Sequence, residues 1–345
     1  MKKRIKKVVL WVEHKGLKII SINPWFSSFY YFLFSSAFRR EHHAVIKGRI
    51  QYYNQNIWGN DVNYLLTRNI HRIEKGLIMK QRKPVFALEY IEETVHAYEI
   101  AVRSYSNEQV REFKWYTDVL STYFESVDHS NTVINLERKK FENCRIGFKD
   151  ELKSAPYKRN FDLRQVSYDQ MYNLAILRRS VRWYEERKVP RELIDKAIKI
   201  AGLSPSACNR QPFEFRVYDK PELVREIADI TWGTKGFSHN FPALIVLVGK
   251  LEAYFDERDR HVIYIDASLA AMSFMFALET QGLSSCPINW PDVKEFESKM
   301  SNLLKLVPHE RPVMLISLGY PDKDAMVPFS EKKGLSVLRT YNKIN

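Results

Sequence analysis

The segment Asp266–Gly282 reads DASLAAMSFMFALETQG and is apolar around nearly the whole circumference of the helix that it predicts. A helix of this kind offers no face to water, so it is buried all round, either in a large core or at an extensive subunit interface. Gly282 suits the end of such a helix. The rest of the chain, or a second copy of it, must therefore cover this helix on every side.

The sequence around this segment predicts the layers that could cover it. Short apolar runs rich in β-forming residues predict strands at Phe213–Asp219, Ala243–Gly249 and Val313–Tyr320. Between them, helical periodicity and suitable end residues predict helices at Arg191–Ala201, Pro221–Ile230 and His261–Gln281. Strands mixed with helices predict an α/β or α+β sandwich, but the pattern does not give the strand order.

The preceding sequence has a different pattern, with helical spacing and little strand-like alternation. Residues 41–165 predict a mainly helical region, with Asp61 as an N-cap, Pro84 in the first turn of a further helix and Asn107 as another cap. Pro156 and the polar stretch after it indicate a boundary near residues 155–168. We therefore divide the chain into a segment 1–40, a helical region 41–165 and an α+β domain 168–345.

The first 40 residues contain nine lysines and arginines against Glu13 alone, an excess of eight of the chain's 13 net positive charges. These cations flank the aromatic-rich stretch Ile19–Phe38, which Asn23 and Pro24 interrupt, so we do not expect it to span a membrane. One hypothesis is attachment to an anionic membrane surface. The alternative is a helical hairpin buried against the protein's own helices, with a solvated basic tail.

Composition excludes several other classes of protein. The three cysteines are widely spaced without a CxxC pair, which fits a reduced cytoplasmic protein and predicts no metal site. No small-residue cleavage site follows the early apolar stretch, so we expect no cleaved signal peptide. The positive charge is concentrated at one end and no known binding motif accompanies it, so we expect no nucleic-acid partner.

Two polar motifs frame the start of the α+β domain. Arg178–Arg182, RRSVR, places guanidinium groups where their paired donors could line an anionic ligand, although most such pentads are solvated surface. Ser204–Phe213, SPSACNRQPF, predicts a rigid loop after a helix, and Asn209 and Gln211 could bond the edge of a heteroaromatic ring. Each motif alone is a weak signal.

Together, these motifs resemble the opening of the nitroreductase family, R-[RH]-S-x-[RK]-x-[FY] followed by A-x-x-[AS]-P-S-x-x-N-x-Q-P. Gly282–Trp290, Leu315–Asp322 and Pro328–Leu338 are similar to the family's flavin-side segment, last core strand and basic tail. The resemblance covers about residues 168–345. It implies an α+β fold with a mixed sheet flanked by helices, and FMN as the cofactor with NAD(P)H as the electron donor. It also implies a homodimer in which both chains contribute to each flavin site.

The resemblance also implies site residues, which are Arg178, Arg179, Ser180, Arg182, Ser206, Asn209, Gln211, Lys235, Pro287, Ile288, Asn289, Lys332 and Lys333. Arg178 and Ser180 match contacts to the phosphate and ribityl chain, and Arg182 matches a cation near the flavin pyrimidine. Ser206 and Asn209 match the loop that often comes from the partner subunit.

The remaining positions match other parts of the family's flavin site. The Pro287–Asn289 stretch matches the backbone beside flavin N5, although the family often has Glu where this chain has Asn289. Lys332 and Lys333 match the tail that holds the phosphate, and Lys235 is a further candidate contact. No protein nucleophile is expected, because FMN carries the redox chemistry.

The chain departs from the family pattern in two places. The segment between Tyr218 and Ala243 is short, which removes cover over the active site or moves it elsewhere, and the N-terminal half is additional. Within that half, His71–Leu77 is either a lid over the flavin or a surface cluster of ion pairs. Such a pair contributes little when exposed.

The resemblance predicts a ping-pong oxidoreductase that passes electrons from NAD(P)H through FMN to an organic acceptor such as a nitro compound or a quinone. The alternatives are a specialised flavoenzyme, of the dehalogenase or flavin-modifying type, and a membrane-peripheral interaction protein with a degenerate flavin domain. We expect a cytoplasmic location, with residues 1–40 a candidate for peripheral contact with the inner face of the membrane.

Overall fold

The computed structural model describes residues 2–59, 61–106, 109–149, 152–162 and 165–344. The helices in these ranges are α1 (Lys2–Ile20), α2 (Pro24–Leu33), α3 (Arg39–Asn56), α4 (Asn63–Leu77), α5 (Ile91–Arg103), α6 (Val110–Ser126), α7 (Thr132–Cys144), α8 (Tyr168–Leu177), α9 (Arg191–Ala201), α10 (Pro221–Ala228), α11 (Val262–Glu279), α12 (Lys294–Leu304) and α13 (Leu335–Leu338). The strands are β1 (Phe213–Tyr218), β2 (Ala243–Lys250), β3 (Ser284–Asn289) and β4 (Glu310–Gly319).

The four strands form one antiparallel sheet in the order β1-β2-β4-β3. The α+β prediction is confirmed, but the sheet of the described residues pairs its strands antiparallel throughout rather than being mixed. β3 is the strand that sequence reasoning missed, and it lies at one edge of the sheet. We refer to residues 165–344 as the sheet domain.

Helices cover both faces of the sheet because the side chains of β2 alternate between two cores. Ala243, Ile245 and Leu247 pack in the core that includes residues of α9 and α11. Leu244, Val246 and Val248 pack in the other core, with residues of α10 and α12. This period of two is what a strand buried on both faces requires.

α11 is buried less completely than the sequence predicts. Its inner residues form the core, whereas Ile265, Leu269 and Met272 are exposed. These three side chains have i, i+4 and i+7 spacing and so share one stripe of the helix surface. The prediction of a helix buried all round is therefore wrong for a single chain.

By length and composition residues 257–279 could also cross a membrane, but half of that stretch is buried inside the protein.

Helices α4 to α7 form a separate apolar core, which we call the helical bundle. Its largest fully buried side chains include Tyr98, Tyr123 and Phe141. α3 connects the bundle with the sheet domain, and Gly48 permits their close approach. A Cβ on Gly48 would lie 2.7 Å from Leu251 Cβ and 2.9 Å from that residue's backbone carbonyl.

Several predicted helix ends differ from the observed ones. α4 begins at Asn63, and Asp61 accepts a hydrogen bond from the Asn63 side chain rather than capping the backbone. Pro84 lies outside a helix, because α5 begins only at Ile91. Asn107 falls outside the described residues.

The first two helices form what we call the N-terminal hairpin, α1 and α2. Asn23 caps α2 by accepting a hydrogen bond from the Trp25 N–H at 2.8 Å, and Pro24 occupies the first helical turn. No residue of α2 is buried. The alternative of a hairpin buried against the protein's own helices is therefore wrong.

Candidate functional site

The segment after α8 is held along the edge of the sheet. Ser180 forms a β-bridge with Ser285, and the Val181 N–H donates to the Ser285 carbonyl at 3.1 Å. The buried Tyr184 hydroxyl lies 2.8 Å from the Val181 carbonyl and 2.9 Å from Ser317 Oγ. These contacts fix the backbone from which the predicted arginines project.

Arg178 has a buried donor with no partner among the described residues, its Nε. The neighbouring carboxyl of Glu279 also has a buried oxygen without a partner, Oε1. Burial raises the pKa of Glu279 to about 7, against the opposing effects of the Ser284 hydroxyl and the Arg178 charge. A buried donor without a partner is costly, so this arrangement favours a ligand with acceptor oxygens.

The second half of β3 presents free backbone at the sheet edge. Since backbone groups alternate in an antiparallel ladder, Pro287 and Asn289 face the same side as the Ser285 carbonyl, away from β4. Pro287 has no N–H, so the Asn289 N–H is the donor at this part of the edge. Ser285 Oγ is buried here without a partner.

Cations and apolar side chains flank this edge. Arg182 is half-buried, and its Nη1 donates to the Ser180 carbonyl at 3.2 Å, while the guanidinium lies 5.7 Å from the Phe237 ring centroid. Gly233 approaches Ile288 so closely that an added Cβ would meet Ile288 Cγ2 at 2.9 Å. Lys235, two residues later, is exposed.

The Ser204–Gln211 loop is fixed to α11 at two points, the first being the hydrogen bond that Ser204 Oγ donates to Ser273 Oγ at 2.9 Å. Asp266 Oδ2 accepts hydrogen bonds from Ser206 Oγ at 2.7 Å and from the Ala207 N–H at 2.9 Å. Ser206 Oγ in turn accepts from the Gln211 N–H at 2.7 Å. Asn209 has a φ of 55°, a conformation that non-glycine residues adopt rarely and that is frequent at binding sites.

The predicted site residues therefore fall into two groups within one chain. Arg178 and the β3 edge lie towards the Glu279 end of α11, whereas the loop is attached at Asp266. Thirteen helical steps separate these two anchors, which corresponds to roughly 20 Å at 1.5 Å per residue. The anchors of Ser206 and of Arg178 are therefore well separated along α11 within one chain.

The C-terminal tail approaches the first group through Arg179. Its Nη1 donates to the Phe329 carbonyl at 3.4 Å, at the near end of the tail. Lys332 and Lys333 follow and are exposed in the single chain.

The comparisons with known proteins cover the segments that form this candidate site. The sequence profile of the nitroreductase family matches residues 176–235 and 229–320, which include Arg178, the Asn209 loop and the β3 edge.

The sheet domain is a nitroreductase-family domain.

Similar proteins include iodotyrosine deiodinase 1 of Pongo abelii, 28% identical over 197 residues, or 48% of this chain and 66% of that protein. The iodotyrosine deiodinase of Hydra vulgaris is 29% identical over 191 residues, or 46% of this chain and 68% of that protein. A solved FMN-dependent nitroreductase of Clostridium difficile is 27% identical, covers 48% of this chain and 96% of its own, and has a TM-score of 0.41. This chain thus spans 66% of the length of the first of these relatives.

Residues outside the predicted set support the nitroreductase-family site. Asp266 holds the loop and Glu279 neighbours Arg178; the sequence signal for both was an acidic residue in an otherwise apolar helix. Arg210 is buried with its guanidinium 4.8 Å from the Tyr254 ring centroid, and its Nε has no partner in the described structure. No signal in the sequence distinguished Arg210 from a surface arginine.

The helical bundle meets the site through α4, which packs against the turn Ala207–Asn209. The polar cluster of α4 is occupied mainly by contacts within the bundle. Glu74 accepts a hydrogen bond from Trp115 Nε1 at 2.9 Å and lies 3.3 Å from His71 Nδ1, while Arg72 stacks on Tyr90 at 3.6 Å. Among the described residues, no group of three or more His, Cys, Asp or Glu could hold a metal ion.

Proposed function

We propose that this chain is an FMN-dependent oxidoreductase that works as a homodimer. The observation that carries the proposal is the buried, unpartnered Nε of Arg178, held beside the free backbone edge of β3. A phosphate would supply the missing acceptor, and a flat heteroaromatic ring would find a donor at the Asn289 N–H. The fixed polar groups thus fit FMN.

Each predicted residue takes a distinct part in this proposal. Arg178 and Ser180 bind the phosphate and ribityl end, with Lys332 and Lys333 as further cations from the tail. Arg182 supplies positive charge towards the pyrimidine edge, where it would stabilise an anionic reduced ring. FMN, when bound, would accept electrons from NAD(P)H and pass them to an organic acceptor.

The exposed stripe on α11 supports the proposed dimer. Ile265, Leu269 and Met272 are apolar side chains with no cover in one chain, and α8 exposes further apolar side chains beside them. A second copy that packs on this stripe would bury it and would bring its own Asn209 loop towards Arg178. The roughly 20 Å along α11 between the anchors Asp266 and Glu279 supports a site that the second copy completes.

Reductive dehalogenation of a halogenated phenol is a second candidate activity. The relatives named iodotyrosine deiodinase favour it, since those of Pongo abelii and Hydra vulgaris match 48% and 46% of this chain. The short segment between β1 and β2 leaves the β3 edge without a long covering loop, and α4 of the bundle is the element next to the Asn209 loop.

Three measurements test the proposal in order. Purified protein should show flavin absorption bands and release FMN rather than FAD on denaturation, because no dinucleotide-binding glycine motif is present. NADH or NADPH should bleach these bands under anaerobic conditions. Turnover with a nitroaromatic, a quinone and an iodotyrosine then separates the two activities. A colourless protein that takes up no FMN would overturn the proposal.

A further inference from the structure

The N-terminal hairpin leaves a large apolar surface uncovered. On α1, the side chains of Ile5, Val9, Val12 and Ile19 recur at steps of three, four or seven residues and so share one face. All four are more than half exposed. Burying such a surface against an apolar partner stabilises a protein, whereas here it faces water.

The aromatic residues of α2 extend this surface. Trp25 is 81% exposed, Phe29 is 59% exposed and Phe32 is 72% exposed, and their i, i+4 and i+7 spacing aligns them. The hairpin is nevertheless an ordered unit, since Ser27 Oγ donates to the Ile20 carbonyl at 3.2 Å across the turn. The aromatic face is thus fixed in position and free to bind.

The rest of the protein does not close over the hairpin. A cleft of about 980 Å³ lies between α2, α3 and the residues around His261 that precede α11. The next helix, α3, contacts the sheet domain through the ion pair of Arg40 with Asp292 at 2.5 Å. The hairpin is therefore attached at one end and not packed into a core.

The charge of the hairpin identifies its partner. Lys6, Lys7, Lys15 and Lys18 are exposed on α1, and residues 1–40 contain Glu13 as their one acidic residue. A second hairpin would bring the same positive charge and be repelled. Nucleic acid would match the charge but would leave the aliphatic face of α1 in water. An anionic lipid surface satisfies both the cations and the apolar face.

We infer that the N-terminal hairpin attaches this protein to the surface of an anionic bilayer without crossing it. α2 has 10 residues and is about 15 Å long, half of the roughly 30 Å hydrocarbon core. α1 carries too many cations to enter that core. Both helices instead lie in the interface, with their apolar faces among the upper acyl chains and the lysines at the headgroups. The attachment does not depend on flavin binding or on the proposed activity.

Co-sedimentation of the full-length protein with vesicles tests the inference. Vesicles of phosphatidylcholine with phosphatidylserine should bind the protein, and vesicles of phosphatidylcholine alone should bind it much more weakly. Salt at about 1 M, where the Debye length is roughly 3 Å, should release most of the bound protein. Resistance to this salt and to alkaline carbonate would indicate a spanning segment and would overturn the inference.

Charge variants separate surface attachment from general basicity. Each lysine near an anionic surface contributes about fivefold to partitioning, so Lys6→Gln with Lys7→Gln should weaken binding about 25-fold. The matched control is Lys196→Gln with Lys199→Gln on α9, which removes the same charge from exposed positions in the sheet domain. An equal loss in both double variants would mean that net charge alone governs binding, against the inference.

Aromatic variants test the apolar part. Trp25→Ala with Phe32→Ala should weaken vesicle binding roughly tenfold or more, whereas Tyr157→Ala with Phe161→Ala should leave it unchanged, although both residues are also exposed. Circular dichroism and flavin content report whether each variant is folded. If wild-type protein stays in the supernatant with anionic vesicles at low salt, the inference is wrong.

Discussion

Replacement of Arg178 by alanine is the most direct test of the proposed cofactor site. The side chain has a buried Nε without a partner, and it lies near the partly buried Glu279. Its proposed partner is the phosphate of FMN. The variant would lose this interaction and would leave the Glu279 carboxyl without a neighbouring cation.

The expected loss can be estimated from one charge-assisted contact. Such a hydrogen bond contributes about 1.5–3 kcal/mol, which corresponds to a roughly 10- to 150-fold weaker affinity for FMN. Arg178→Lys should fall between the wild type and Arg178→Ala, because lysine retains the charge but not the planar fork. Riboflavin lacks the phosphate, so its affinity should be nearly the same in all three proteins.

Titration of the flavin-free protein with FMN and with riboflavin, followed by flavin fluorescence, measures these affinities. The control is Arg191→Ala, which removes an exposed arginine that pairs with Asp219 at 2.7 Å at the start of α9. It should bind both flavins as the wild type does. Equal losses for FMN and riboflavin in Arg178→Ala would indicate structural damage, and wild-type FMN affinity would remove Arg178 from the phosphate site.

Three further predictions concern assembly, pH and domain contact. Leu269→Arg should convert a dimer into a monomer of 40.9 kDa in light scattering and lower flavin content, whereas Val307→Arg, at the same exposure, should not. The pKa of Glu279 is raised to about 7 in the folded protein. The contribution of this carboxyl to the free energy of unfolding is therefore complete below about pH 4.5 and is lost as the pH rises through 7. In Glu279→Gln, the free energy of unfolding measured by denaturation should therefore change less with pH over this range than in the wild type. An unchanged slope against pH would contradict the prediction. Gly48→Val should destabilise the protein by about 1–3 kcal/mol in urea unfolding, since its Cβ would strike the Leu251 backbone, and wild-type stability would refute that close contact.

Local sequence signals predicted the bounds of an element where its end residues and its burial pattern agreed. α9 has the predicted bounds, Arg191–Ala201, because Pro190 precedes it and Gly202 follows it. β2 begins at the predicted residue, Ala243, because its apolar run is too short for a helix and is buried on both faces. The motif that begins at Arg178 predicted a ligand for a side chain whose Nε is buried without a partner among the described residues.

Tertiary packing overrode the local signals elsewhere. The segment after Pro84 does not start a helix, because the Phe86 side chain packs in the helical bundle. Its ring fills the space beside Gly76 and meets Tyr123 with centroids 5.0 Å apart, and the Tyr123 hydroxyl donates to the Phe86 carbonyl at 2.7 Å. Ala87 then adopts a φ of 65° before α5 begins. The position of the Phe86 ring depends on residues remote in sequence, so no local sequence pattern predicts it.

The sequence by itself determined the α+β class, the helical region before it, and the residue types of a flavin site. Those properties depend on periodicity and side-chain chemistry, which are encoded within a few residues. Tertiary structure decided that the Asn209 loop and Arg178 lie at opposite ends of α11, and that Leu269 faces water. Both properties depend on contacts between segments remote in sequence, because they are set by how the layers of the sheet domain pack around α11. The tertiary structure also leaves the N-terminal hairpin outside the cores of the described residues. Composition alone did not decide between an exposed and a buried hairpin.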